Sequence, residues 1–121
     1  MKKYMFFFAL LAGFYLQAQD LSKNFDAEKY AKDFTEKIIT VTEINSDEMI
    51  RAVENETFKY AMSIKKHILL FENKGLTDGK SLEEVIEAVK PEALQATKFD
   101  RNLKKILGDQ KFLKLKDLNL L

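Results

Sequence analysis

The chain has 121 residues, with 20 Lys or Arg, 19 Asp or Glu, one His, no Cys and no Trp, and its formal net charge is +1. Its length predicts one small domain, and its charge balance argues against strong global attraction to nucleic acid or anionic membrane. The lack of Cys excludes disulfides, thiolate metal sites and a Cys nucleophile, so stability must come from packing, at the low end of about 5–15 kcal/mol.

Lys2 and Lys3 precede an unbroken apolar run of 12 residues from Met5 to Leu16, and Leu16-Gln17-Ala18-Gln19 offers a small residue for cleavage. This is the pattern of a secretory signal peptide; a spanning helix would need about 20 apolar residues. Cleavage is expected after Ala18, so that the mature chain begins at Gln19, with no following Cys to carry a lipid anchor. The expected product is exported, periplasmic or secreted, and has no membrane span after processing. Without Lys2 and Lys3, 18 basic residues face 19 acidic ones, a net charge of −1.

Residues 19–25 show no period and are expected as a loose lead-in to a single helical domain over 26–121. Asp26 is the predicted N-cap of a first helix, with Phe25 and Tyr30 as a hydrophobic staple. Its apolar face is Ala27, Tyr30, Phe34, Ile38 and Val41. The β-branched run Ile38-Ile39-Thr40-Val41-Thr42 continues that period and finds no β-rich partner, so it is read as helix. Ser46 caps a long second helix over about residues 47–74, roughly 42 Å if unbroken, ending at Gly75. A compact domain of this size has a radius of gyration near 13 Å, which favours an elongated molecule.

Gly75 to Lys80 is the clear turn cluster. Ser81 and Glu84 form a capping box before Leu82, Val85, Ile86 and Val89. Pro91 predicts either a break, giving helices over 81–90 and 91–107, or one kinked helix. Asp109 is the predicted cap of a short last helix. The expected fold is all-α: an elongated bundle or hairpin of four to five helices with one long helix.

Charge is uneven along this plan. Residues 26–56 hold nine acids and four bases; residues 98–116 hold seven bases and two acids. The simplest expectation is that these segments pack together and neutralise each other. The sharper one is a basic interaction surface of Lys98, Arg101, Lys104, Lys105 and Lys111, presented to an acidic partner or lipid head group.

Catalytic chemistry finds little footing. His67 falls on or beside the buried stripe, and no HxxxH, HxxE or Cys spacing accompanies it. The acid pairs Asp47/Glu48 and Glu83/Glu84 stand at helix starts, where the dipole accounts for them. Ser22, Ser46, Ser63 and Ser81 lack a nucleophile-elbow context, and Gly75 and Gly79 lack phosphate-loop spacing. Asn55-Glu56-Thr57 fits a glycosylation sequon but falls mid-helix. Phe99 and Phe112, the aromatics of the basic segment, fit the core period rather than a nucleic-acid platform. No enzyme, metal, cofactor or nucleic-acid partner is expected.

Two segments carry a resemblance. Ile44-Asn45-Ser46-Asp47-Glu48-Met49 is similar to an LTXXQ motif, with Ser for Thr and Met for Gln. Leu107-Gly108-Asp109-Gln110-Lys111-Phe112 is similar to a second copy, with Gly for Thr and Lys for Gln, and Phe99 to Leu107 resembles the helix leading into it. Over roughly residues 27–118 the chain thus resembles small exported bacterial helical proteins of the Spy type. The resemblance implies a non-catalytic helical cradle that holds protein clients in the cell envelope and often forms a homodimer; it assigns no client-binding residue. The expected function is that of an exported non-catalytic interaction protein, chaperone-like or envelope-stress related. The alternative is a small-ligand or lipid-binding domain with an apolar cavity lined by Phe34, Phe58, Tyr60 and Phe71.

Overall fold

The computed structural model describes residues 21–121; the expected signal peptide and its cleavage site at Ala18 and Gln19 lie outside the described residues. Six helices follow in order: α1 (Leu21–Asn24), α2 (Ala27–Thr42), α3 (Asp47–Asn73), α4 (Leu82–Thr97), α5 (Phe99–Leu107) and α6 (Asp109–Asp117). Among the described residues there is no strand, so Ile38 to Thr42 is helical as its period requires. None of the described helices is long and apolar enough to cross a membrane.

The long helix α3 is the hub. It runs unbroken through Asn55-Glu56-Thr57 for roughly 40 Å, and α1, α2, α4 and α5 all pack against it, while α6 rests on α5 and α2. Val53, Tyr60, Ala61, Ile64 and Ile68 form its buried face. They meet Ile38 of α2, Val85, Val89 and Ala93 of α4, and Phe99 and Leu103 of α5 in one core. Aromatic rings fill its centre. Tyr60 stacks on Phe99 with centroids 4.6 Å apart and planes 2° from parallel, and Phe34 stands edge-on to both at 6.2 and 5.6 Å, the arrangements that ring quadrupoles favour.

The caps lie where the sequence places three of them. Asp26 accepts from the Lys29 N–H at 3.1 Å, with the Phe25 and Tyr30 rings 5.3 Å apart across the cap. The Ser46 hydroxyl accepts from Met49 N–H at 3.5 Å. Ser81 accepts from Glu84 N–H at 3.2 Å and donates to its carboxylate at 3.3 Å. At the end of α3, Gly75 takes φ +72°, so its N–H and that of Leu76 reach the carbonyls of Glu72 and Phe71. That is a Schellman closure, which needs a left-handed residue.

Three expectations are corrected. The described part of the lead-in is not loose: Leu21 to Asn24 form a helical turn, and Ser22 is clamped onto α3. Its N–H donates to Glu72 Oε1 at 2.7 Å and its hydroxyl to Oε2 at 3.2 Å. This extra turn also raises the helix count to six among the described residues. Next, of the two readings of Pro91 the continuous helix holds, since Pro91 lies inside α4, but that helix ends at Thr97 and not at residue 107. Pro forfeits a backbone bond and costs about 3 kcal/mol there, but Val85, Val89 and Ala93 continue one fully buried line past it. Burying a Val is worth about 1.5–3 kcal/mol, which offsets the defect. The break falls instead at Lys98, which turns left-handed at φ +53°. A non-Gly residue gives up about 1–2 kcal/mol there, and the turn delivers Phe99 onto Tyr60. Finally, Asp109 does not cap α6. Gly108, at φ +85°, occupies the cap position without a side-chain bond, and Asp109 stands in the first turn, where its charge suits the positive end of the dipole.

Candidate functional site

The amphipathic pattern of α5 decides where the basic residues point. Phe99, Leu103 and Leu107 are buried, so Arg101, Lys104 and Lys105, with Lys98 at the preceding corner, stand exposed on the opposite side. Lys111 lies beyond the Gly108 corner on α6 and is half-buried. Four of the five expected surface residues therefore share one face, and the fifth is set apart from it.

The acidic and basic segments do pack together, α5 on α3 and α6 on α2, but no direct ion pair joins them among the described residues. The ion pairs among those residues are Lys59–Glu56 at 3.6 Å, Lys90–Glu87 at 2.7 Å and Lys104–Asp109 at 3.9 Å. The α3–α5 contact is apolar, and its polar tie is Asn102, donating to Glu56 Oε2 at 3.0 Å. Packing α5 by its apolar stripe leaves Arg101, Lys104 and Lys105 in solvent. On α6, Lys116 sits over the Phe112 ring at 5.4 Å instead of meeting an acid.

The cavity expected from Phe34, Phe58, Tyr60 and Phe71 does not form. Phe34 and Tyr60 are packed ring on ring with Phe99, Phe71 is half-buried farther along α3, and Phe58 faces outward at 44% exposure. The structure has a different hollow, an open groove of about 400 Å³ between α2 and α3. Ala31, Ile39 and Phe58 supply its apolar surface, and Glu28, Glu36 and Glu54 stand on its rim with Lys32 as the one base. At its floor the Thr35 and Thr57 hydroxyls lie 2.6 Å apart. Thr57 donates onward to the Glu54 carbonyl at 3.0 Å, which leaves Thr35 as donor to Thr57 and joins the two helices. Sequence reading missed this groove. The available signal was the line Glu28, Lys32, Thr35, Ile39 at spacings of 4, 3 and 4, one flank round from the main apolar stripe.

The groove opens onto an uncovered line of α3. Phe58, Met62 and Leu69 are all well exposed, and their spacings of 4 and 7 place them on one side of the helix. A second hollow of about 330 Å³ lies across α2, lined by Tyr30, Asp33, Phe34, Lys37, Lys90, Asn119 and Leu120. Burial raises the Tyr30 phenol above its usual range there, with the Lys90 charge acting in the opposite direction. His67 is engaged within its own helix: Nδ1 lies 2.7 Å from the Ser63 carbonyl, which fixes it as the protonated nitrogen. Asp47 and Glu48 occupy the first turn of α3, and Glu83 and Glu84 that of α4. Among the described residues no group of three or more His, Cys, Asp or Glu converges on one point. Comparison with protein-family models, curated proteins and solved structures finds no match, so the functional reading rests on this chain's own residues.

Proposed function

We propose that this chain is an exported, non-catalytic helical interaction protein of chaperone-like character, holding partly unfolded protein clients in the cell envelope. The observation that supports this reading is the line of Phe58, Met62 and Leu69 on the hub helix, exposed beside an open groove. Single exposed apolar residues are ordinary; an aligned set next to a groove is the kind of surface that takes up apolar segments. The resemblance at the two helix starts points the same way. The small-ligand alternative draws less support, because the aromatic residues that would enclose a ligand are packed against one another.

The test is the aggregation of chemically unfolded clients in the presence of the purified, processed protein and without ATP. Protection at near-stoichiometric ratio is expected. The double variant Phe58→Ser/Met62→Ser should lose most of it while melting within a few degrees of the wild type, since neither side chain belongs to the buried core. Absence of protection for several unrelated clients, or equal protection by the variant, would overturn the proposal. Co-purification of a fatty acid in place of any client effect would select the alternative.

A further inference from the structure

We infer that the protein associates head to tail with a second copy of itself, the outward face of α6 in one molecule seating in the α2–α3 groove of the next. This goes beyond client binding and stands without it. The groove has apolar surface from Ala31, Ile39 and Phe58 and a rim of three exposed carboxylates, Glu28, Glu36 and Glu54, against Lys32. None of the three takes part in an ion pair among the described residues. Its complement is on the same chain. Leu113 on α6 and Leu118 at its C-cap, at 57% and 60%, are the most exposed large apolar side chains described, and exposed Lys114 stands next to Leu113 on a helix that carries three lysines against two aspartates.

The two surfaces do not meet within one molecule. Glu28, Lys32, Thr35 and Ile39 line one flank of α2. The turn after α6 reaches the other flank, where Tyr30, Phe34 and Lys37 surround a hollow with Asn119 and Leu120. Residues two apart on a helix are about 200° apart round its axis, so Glu28 and Tyr30 point to opposite sides, as do Thr35 and Lys37. A surplus of acid on one side and of base on the other, each beside unsatisfied apolar surface, is complementary only between molecules.

Joining two different patches makes a heterologous contact, which propagates into open chains or closes into a ring. One groove and two leucines fall well short of the roughly 1,200–2,000 Å² buried in stable interfaces, so the association is weak and depends on salt.

Sedimentation velocity on the processed protein tests this. At low salt the weight-average mass should rise with concentration, and moving to about 0.5 M salt should weaken association about tenfold or more, because exposed charges are screened over a few ångströms there. Two variants carry the decisive comparison: Glu36→Lys/Glu54→Lys removes the groove's charge, and Leu113→Glu/Lys114→Glu removes the seated face. Each alone should remain monomeric. Their equimolar mixture should form a 1:1 dimer and stop, because it holds one intact groove and one intact face. All four positions are exposed, and matching thermal melts check the fold. Should either double variant melt early, Glu54→Lys and Lys114→Glu alone replace the pair. A wild type that stays monomeric throughout, single-surface variants that associate like the wild type, or a mixture that stays monomeric would each overturn the inference. The α6 variant leaves Phe58 and Met62 intact, so client protection is read independently of self-association.

Discussion

Replacing Glu72 should release α1, the first of the described helices, while leaving the rest of the fold in place. Its carboxylate is buried and accepts both the N–H and the hydroxyl of Ser22, 50 residues away. A hydrogen bond to a charged acceptor contributes about 1.5–3 kcal/mol, so the pair contributes roughly 3–6 kcal/mol before the cost of burying the carboxylate, itself several kcal/mol, is set against it. The net clamp is then about 2 kcal/mol. Glu72→Ala cannot cost much more, because α1 is only four residues long. Once it undocks, water satisfies the Ser22 groups. Glu72→Gln keeps one acceptor oxygen and should cost about 1 kcal/mol, as for a neutral hydrogen bond. Amide hydrogen exchange at Ser22 is the direct readout, with urea melts for the whole domain. Wild-type Ser22 should be protected, Glu72→Gln less so and Glu72→Ala least, while core amides such as that of Ile64 change little. A Ser22 amide that exchanges equally fast in the wild type and in Glu72→Ala would refute the clamp. A collapse of the whole domain in Glu72→Ala would refute its local character.

Two other outcomes follow from side chains described above. Burial holds the Tyr60 phenol well above its usual range, so the folded state keeps its proton at pH values where the unfolded chain loses it. Stability should therefore be fully present below pH ~10, the unfolded value, and fall as pH rises beyond it. Tyr60→Phe should flatten that alkaline decline in melts from pH ~8 to ~11, and an unchanged slope would show that Tyr60 is not its source. Glu43 ends α2 at φ +56° with its side chain in solvent. Glu43→Gly should stabilise the fold by about 0.5–1 kcal/mol, less than the 1–2 kcal/mol of left-handed strain because Gly also frees the unfolded chain. Glu43→Ala should show no such gain in urea melts.

Local rules, acting within a turn or two of chain, carried the readable part of the fold. Asp26, Ser46, Ser81 and Gly75 each do what their immediate neighbours dictate, and the α3 stripe from Val53 to Ile68 follows from period alone. What escaped depends on partners distant in sequence. Nothing near Ser22 announces Glu72. Pro91 left a break and a continuous helix both open, and α3, lying under Val85, Val89 and Ala93, decides for continuity. Phe34 and Tyr60 read as cavity lining because Phe99, which fills the space between them, sits far along the chain. The basic face of α5 was legible from its amphipathic spacing. The groove was not, because it is bounded by flanks of two helices and neither flank is apolar enough to stand out alone.

Between α4 and α6 the chain changes direction twice, each time on a single residue, Lys98 and then Gly108. Such corners contain no slack. One residue inserted early in α5 would turn everything after it by about 100°, bringing Asn102 to the core position of Leu103 and exposing the leucines that seal the domain. The turn after α3 is different, since Asp78, Gly79 and Lys80 are exposed and belong to no helix. Sequences that share this fold should therefore hold a constant length from Leu82 to Asp117 and vary in length around residue 79. A fluorescent label, an affinity tag or new chain termini introduced for experiment belong at that same turn, where the six helices would keep their register.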